Sequence, residues 1–215
     1  MTMAAPLLHV DRLVRRYTRG LLKPEVTFSL EADFEIAEPA IVGVMGANGA
    51  GKTTLFELIT GGNQPSAGHV LVARQDIHRV RYGERDRLAL HYHQSYQLRS
   101  FQRRLPAFML ARAASERARV HLFDEPQFNT QDGYIGFMLD FFRRLRDEGR
   151  LVFVCLHPQE QVHLDILTEV CTRFIFMHKD GDGTSRLLFA PSLGSLAQEP
   201  KVGSYLGKLI GLVSP

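Results

Sequence analysis

The stretch IVGVMGANGAGKTTLF, residues 41–56, joins an apolar run to a helical pattern through three closely spaced glycines. Within it, Gly46 to Thr53 fit the pattern G-x-x-x-x-G-K-[ST]. Glycine adopts backbone angles that other residues avoid, so several N–H groups can point at one anion beside a helix N-terminus. The stretch therefore predicts a buried strand, a phosphate-binding loop and a helix, with a nucleoside triphosphate as the ligand.

The residues of this loop have distinct expected roles. Lys52 should reach the β and γ phosphates as a point charge, and the Thr53 hydroxyl should take one Mg²⁺ position, because that ion prefers hard oxygen ligands. Thr54 is expected on the α-phosphate side. A chance glycine-rich turn is the alternative, and the strand before the loop and the helix after it argue against that. The predicted nucleotide-binding residues are Tyr17, Gly46, Asn48, Gly49, Ala50, Gly51, Lys52, Thr53 and Thr54.

Two adjacent acids follow a second apolar run in VHLFDEP, residues 120–126. Strand ends of this kind present side chains to ligands in parallel sheets. Asp124 is expected to help hold Mg²⁺, and Glu125 to accept a proton from an attacking water. The alternative is a solvent-facing acidic turn before Pro126.

Two aromatic residues outside the loop are further candidates. The run LVFVCLH ends at His157, and Pro158 is suited to the first position of a helix. A histidine at such a strand end can sense a γ-phosphate, with capping or packing as the alternative role. Tyr17, upstream of the loop, can stack on a base.

The order of the segments predicts an α/β fold. Short apolar runs alternate with helical patterns, which indicates a mainly parallel sheet flanked by helices, and three earlier segments suggest a small antiparallel sheet beside it. The tail, residues 201–215, has helical spacing and should cover the core. Parallel strands are predicted at 40–46, 89–93, 119–125, 151–157 and 173–178, antiparallel strands at 7–17, 26–36 and 68–77, and helices at 52–60, 106–116, 133–147 and after Pro158.

Composition fits one globular domain over residues 1–215. The chain is 45% hydrophobic and 23% charged, which excludes disordered, fibrous and collagen-like classes. No run approaches the ~18 apolar residues of a spanning helix, so the protein itself is expected in the cytosol. Cys155 and Cys171 lack metal-ligand spacing, and Cys155 is expected to be a small core residue. Arginines between 74 and 104 could mark a face for an acidic partner or membrane headgroups, or could simply be solvated.

The motifs together resemble the nucleotide-binding subunit of ATP-binding cassette (ABC) proteins. They are GANGAGKTT, a glutamine after a strand, FDEP, a later aspartate and a histidine, and the match covers most of the chain. The resemblance implies ATP and Mg²⁺ as cofactors. It also implies Tyr17 as the adenine-stacking aromatic, Gln94 as the metal-sensing glutamine, Glu125 as the catalytic base, Asp132 in the dimer-facing loop and His157 as the switch histidine.

One departure from the family lies after Gln94. In the family several dozen residues of helices precede a Leu-Ser-Gly-Gly-Gln signature, whereas here only residues 95–99 separate Gln94 from Ser100. The helical subdomain is therefore expected to be largely missing between Gln94 and Leu105. In the family that region forms the groove for a membrane permease. Either a transport partner therefore docks on another surface, such as the arginine-rich side at residues 74–104, or this subunit does not drive transport at all.

The best remnant of the signature is residues 98–102, with Phe101 where glycine is expected. Backbone must approach phosphate closely there, and a phenylalanine works against this. The helix that follows is expected to begin near Leu105, because Pro106 would otherwise lie inside it. Arg99, Arg103 and Arg104 could supply the charge that a helix N-terminus provides in the family, or the segment could be a solvated linker.

The resemblance implies an ATP-hydrolysing cytoplasmic subunit of an ABC-type membrane transport or export complex. Such a subunit lies on the inner face of the membrane through integral permease subunits, and pairs with a second copy or another ABC ATPase subunit. The catalytic set is then Glu125, His157 and Lys52, and the metal set is Thr53, Gln94 and Asp124.

Two other functions are alternatives to this one. A non-transport assembly or regulatory switch would bind ATP with weak or no hydrolysis, as the degenerate signature allows. A nucleic-acid ATPase would need a long coiled-coil insertion or a base-stacking platform, and the sequence has neither. No nucleic-acid partner is expected.

Overall fold

The computed structural model describes residues 6–20, 25–93, 118–126, 134–156 and 161–210. Several sequence predictions lie outside these residues and stay predictions. They are Gln94, Asp132, His157, the signature remnant with its three arginines, the helix at 106–116 and the missing subdomain.

Ten strands in the described residues form one sheet. They are β1 (Leu8–Arg19), β2 (Glu25–Ile36), β3 (Ile41–Gly46), β4 (Ala67–Val72), β5 (Gln75–Asp76), β6 (Ala89–His93), β7 (Val120–Asp124), β8 (Leu151–Cys155), β9 (Arg173–Lys179) and β10 (Thr184–Ala190). Their order across the sheet is β5-β4-β1-β2-β10-β9-β3-β8-β7-β6.

Six helices accompany the sheet in the same residues. They are α1 (Lys52–Ile59), α2 (Tyr82–Arg85), α3 (Tyr134–Asp147), α4 (Gln161–Val170), α5 (Leu193–Ala197) and α6 (Pro200–Ile210). The predictions of α1, α3 and a helix after Pro158 are confirmed, with bounds that differ by one to three residues. None of these helices is long and apolar enough to cross a membrane.

Five neighbouring strands, β9-β3-β8-β7-β6, pair in parallel, as the continuous apolar runs predicted. All residues of β3, β7 and β8 are buried, because helices and further strands cover both faces of the sheet. One apolar core packs α3, α4 and α6 against one face, and a second packs α1 and the antiparallel strands against the other. The predicted α/β class is confirmed.

The predicted antiparallel strands exist, but they do not form a separate sheet. β2 pairs in parallel with β10 through Thr184 with Ser29 and Ser185 with Leu30, and β10 pairs antiparallel with β9. β10 is not predicted by the sequence patterns, and it is the strand that joins the two parts. Its position makes the sheet continuous from β5 to β6.

The tail prediction is confirmed for α6. Val202 is fully buried and Leu206 is 6% exposed, both in the core beside α3 and α4. The Tyr205 hydroxyl donates to the carbonyl oxygen of Gly46 at 3.4 Å, so the helix also touches the end of β3. Cys155 and Cys171 are free and buried, as expected for Cys155.

Candidate functional site

The loop after β3 needs glycine at its key turns. Gly46, Gly49 and Gly51 have φ values of 146°, 72° and 92°, a region that favours glycine. A Cβ on Gly46 would lie 2.2 Å from the carbonyl oxygen of Met177 in β9. The loop can therefore turn tightly over the sheet edge only because these positions lack side chains.

The N-terminus of α1 is open towards the loop. Gly51 is the N-cap residue and offers no side-chain acceptor, and the first turn of the helix contains no acidic residue. The first N–H groups of a helix have no partner within the helix, and the helix dipole adds positive potential there. This end of α1 is therefore suited to an anion such as a phosphate group.

Lys52 is buried beneath the loop, with 7% of its surface exposed. Its ammonium group donates to the carbonyl oxygens of Gly46 and Ala47, at 2.7 and 3.0 Å. These contacts fold the side chain back along the loop, which holds its charge at the same place as the open helix N-terminus. The Lys52 charge and the helix N-terminus therefore both contribute positive potential to the same place.

Thr53 and Asp124 are 71 positions apart in the sequence and in direct contact in the structure. The Thr53 hydroxyl donates to Oδ2 of Asp124 at 2.9 Å. Burial acts to raise the pKa of Asp124, but its contacts with His91 and Thr53 outweigh this and hold that pKa below its usual value. The carboxyl group is therefore ionised at neutral pH and lies beside a hydroxyl oxygen.

A magnesium ion fits these two residues only with help from other oxygens. Among the described residues, no group of three or more His, Cys, Asp and Glu side chains could hold a metal ion by itself. Mg²⁺ is commonly bound by one or two protein oxygens together with waters and substrate phosphates. Thr53 and Asp124 supply such a partial set beside the phosphate-binding loop.

Glu125 has an unusual backbone conformation. Its φ is 51°, in the left-handed region, where a residue with a side chain costs about 1 kcal/mol or more. Its N–H donates to the carbonyl oxygen of Cys155 at 3.0 Å, which fixes the turn after β7. The side chain of Glu125 lines the same cavity as Lys52 and Thr53.

That cavity has a volume of about 630 Å³, within the usual range of small-molecule sites. It extends from the glycine loop to the antiparallel strands, and its two lysines outnumber its single acid. Its wall residues are Tyr17, Thr27, Phe28, Asn48, Gly49, Gly51, Lys52, Thr53, Thr54, Glu125 and Lys179.

Tyr17 lines the cavity from β1, next to Thr27 and Phe28 of β2. Its hydroxyl accepts a hydrogen bond from Asn63 Nδ2, and the guanidinium carbon of Arg15 lies 4.3 Å from its ring centroid. Phe28 packs beside it with ring centroids 5.9 Å apart. These contacts hold the Tyr17 ring at the cavity wall.

The structure thus brings most of the predicted residues to one place. Tyr17, Glu125 and six residues of the loop line the cavity, and Asp124 lies directly behind Thr53. Gly46 shapes the turn, and the N–H of Ala50 donates within the loop to Ala47 at 3.1 Å. The predicted site residues Gln94 and His157, and the dimer-loop Asp132, lie outside the described residues.

Three residues of this region are not predicted by the motifs. His91 contacts Asp124, while Phe28 and Lys179 line the cavity. Lys179 could have been found from the sequence, because it ends β9 at the same edge of the sheet as Asp124. Phe28 and His91 lie inside strands, where their residue types carry no functional signal.

Comparisons with known proteins find similarity to ABC proteins. The ABC transporter family matches residues 30–105. The lipoprotein-releasing system ATP-binding protein LolD of Xylella fastidiosa is 36% identical over 86 residues, which are 40% of this chain and 35% of that protein. The chain spans about a third of the length of the curated relatives that it matches first.

Solved structures of ABC cassettes share the fold. A nucleotide-free ATP-binding cassette from an ABC transporter matches with a TM-score of 0.70 and 15% identity, over 94% of this chain and 99% of that one. A dimeric ATP-binding cassette bound to ADP and Pi matches with a TM-score of 0.60 and 14% identity, over 82% of this chain and 95% of that one.

Proposed function

We propose that this chain, a segment of which matches the ABC transporter family and whose fold matches an ATP-binding cassette, binds ATP with Mg²⁺ and hydrolyses it. The observation that carries the proposal is the contact between Thr53 and Asp124 beside the buried Lys52. A hydroxyl, an ionised carboxyl group and a lysine ammonium meet there at an open helix N-terminus. This combination suits the phosphate chain and the metal ion of a nucleoside triphosphate.

The proposed site divides the nucleotide between two parts of the cavity. The glycine loop and Lys52 bind the phosphates, with Thr54 towards the α-phosphate, and Tyr17 stacks on the base. Bound Mg²⁺ would neutralise charge on the β and γ phosphates, held through Thr53 and Asp124, with Gln94 as a further predicted ligand. His157 remains the predicted sensor of the γ-phosphate.

Glu125 is the proposed general base. Its carboxylate accepts a proton from the water that attacks the γ-phosphate in line with the departing ADP. The left-handed turn that Cys155 stabilises directs the Glu125 side chain into the cavity beside Thr53. Lys52 and the loop N–H groups stabilise the negative charge that spreads over the transferred group.

We infer a transport role from the relatives rather than from the cavity. LolD is named as the ATP-binding protein of a lipoprotein-releasing system, and one matched cassette is dimeric. The proposed protein is a cytoplasmic ATPase subunit that pairs with a second cassette subunit and attaches to membrane permease subunits. Co-purification with an integral membrane protein in detergent would support this role, and a stable soluble complex would contradict it.

The replacement Glu125→Gln tests the proposed reaction. We expect ATP affinity within about twofold of wild type and turnover lower by about 10² to 10⁴, the usual contribution of a general base. Phosphate release and equilibrium binding of ATP, measured on the full chain with any subunits that co-purify, give the two values. Glu169→Gln on the surface of α4 is the matched control, because it removes the same charge far from the cavity.

Full turnover in the Glu125→Gln variant would remove Glu125 from the role of base. ATP binding by the wild-type protein without phosphate release, in the presence of its partners, would favour an ATP-dependent switch over an ATPase. Absence of nucleotide binding under the same conditions would contradict the proposed function as a whole.

A further inference from the structure

His91 lies in the middle of β6 and is directed at the proposed metal site. Its Nε2 atom is 3.4 Å from Oδ2 of Asp124, and 17% of its side chain is exposed. Oδ2 is the same oxygen that accepts the hydrogen bond from Thr53. Two side chains from different elements therefore converge on one carboxylate oxygen.

The strand register explains how a residue of β6 reaches the end of β7. His91 lies opposite Leu122, and Asp124 follows Leu122 by two positions on the same face of the sheet. That face is the one on which α1 packs. The Phe56 ring in α1 and the imidazole form a T-shaped pair, with centroids 5.6 Å apart and planes at 89°.

The contacts on Asp124 divide into two kinds. Thr53 lies in the first turn of α1 and would contact the metal ion itself, whereas His91 lies in β6 against Phe56 and would not. A carboxylate that must present one oxygen to a metal needs its rotation restrained by groups that do not move with the ligand. His91 is in the position to provide that restraint.

We propose that His91 is a positioning residue that orients the Asp124 carboxylate for Mg²⁺, and thereby sets how much Mg²⁺ the nucleotide complex requires. The inference rests on the proposed function. His91 is not among the residues that line the cavity, so it would act on a bound nucleotide through Asp124.

The expected loss of Mg²⁺ affinity on replacing His91 can be judged from metal sites in general. Loss of a side chain that contacts a metal ligand from behind typically weakens metal affinity by about 10- to 100-fold. We expect the lower end, about 10-fold, because Thr53 still contacts Asp124 when His91 is replaced. Nucleotide affinity without Mg²⁺ should be unchanged.

The test is a titration of Mg²⁺ into the full-length protein with a fixed concentration of the non-hydrolysable ATP analogue AMP-PNP. The Mg²⁺ concentration that gives half of the increase in AMP-PNP affinity is compared between wild type and two variants. His91→Phe keeps a ring against Phe56 but has no donor, and should raise this concentration about 10-fold. His91→Gln restores a donor near the Nε2 position and should return it to within about threefold of wild type.

His69→Phe is the matched control, since His69 also faces an aspartate, Asp76, at 3.1 Å but lies on the surface far from the cavity. Thermal unfolding of each variant, followed by circular dichroism, identifies variants that are merely unfolded. An unchanged Mg²⁺ requirement in a folded His91→Phe variant would overturn the inference alone. So would a folded His91→Gln variant as deficient as His91→Phe. A wild-type protein that binds no AMP-PNP would overturn the proposed function and this inference with it.

Discussion

Two buried titratable residues lie three positions apart on β7, His121 and Asp124, and they face opposite sides of the sheet. His121 is fully buried and Asp124 is 4% exposed. Asp124 meets Thr53 and His91 on the side of α1, whereas His121 meets Tyr92 and the carbonyl oxygen of Ala118 on the side of α3. Burial of a polar side chain is therefore no indication of a functional site by itself. The face of the sheet on which the side chain lies determines whether it can take part in one.

The two residues also differ in how their surroundings act on charge. Burial and the nearby charge of Arg150 lower the pKa of His121 to about 3, so the ring is neutral. Its Nε2–H donates to Ala118, and its Nδ1 accepts from the Tyr92 hydroxyl. Asp124 keeps its charge because its contacts favour the ionised form. The face towards α3 therefore contains a neutral hydrogen-bonded group around His121. The face towards α1 contains the negative charge of Asp124, which can bind a cation.

The largest effect that distinguishes the two faces should come from Asp124→Asn. The amide keeps the volume and an acceptor for Thr53, so the fold should be retained, but the charge for Mg²⁺ is lost. A bound metal ion contributes several kcal/mol of charge stabilisation, so we expect turnover to fall by about 1,000-fold or more. Steady-state phosphate release measures this turnover. Near-normal turnover in Asp124→Asn would contradict the functional difference between the two faces of β7.

The second effect is a loss of stability in mild acid that originates at His121. Its folded pKa of about 3 lies below the ordinary histidine value of about 6.5, so the unfolded chain takes up the proton first and stability falls as pH drops from about 6.5 towards 3. Between pH 6.5 and 4 the loss should reach about 3 kcal/mol. Urea unfolding at several pH values measures it.

His121→Phe is the informative variant for this acid effect. It should flatten the dependence of unfolding free energy on pH, while AMP-PNP affinity at neutral pH remains unchanged in the folded protein. The pKa of His78 is also lowered by burial, so a smaller slope should remain. His69→Phe should keep the full slope, and an equal flattening in that variant would contradict the assignment to His121.

The smallest effect concerns Tyr17 in the wall of the cavity. Tyr17→Ala removes the ring that is proposed to stack on the base, and an aromatic pair of this kind contributes about 1 kcal/mol. We expect ATP affinity to weaken about fivefold, with Mg²⁺ dependence unchanged. Tyr17→Phe keeps the ring and loses only the Asn63 hydrogen bond, so it should stay within about twofold of wild type in equilibrium binding.

The parallel part of the fold was predictable because its signals are local. Apolar runs such as residues 151–155 can be buried on both faces only in a covered sheet, and the glycines at 46, 49 and 51 indicate the loop directly. The joining of β2 to β10 was not predictable, because two residue pairs 155 positions apart create it. Such a contact leaves no periodic pattern in either segment.

In the candidate site, too, the residues with a local sequence signal were predictable and those defined by long-range contacts were not. Asp124 and Glu125 could be predicted because adjacent acids at the end of an apolar strand have few structural explanations. His91 could not be predicted, because a histidine within ALHYH fits a partly buried strand equally well. The role of His91 depends on the register between β6 and β7, which brings it beside Asp124. Only the folded sheet establishes that register.

The contact between Tyr205 and Gly46 has a practical consequence for handling the protein. A purification handle or fluorescent fusion joined after α6 could shift this helix, which contacts the glycine loop through Tyr205 and Gly46. Affinities measured with such a label would mix the behaviour of the loop with that of the attachment. A handle at the opposite terminus, removed by a protease before titration, avoids this source of error.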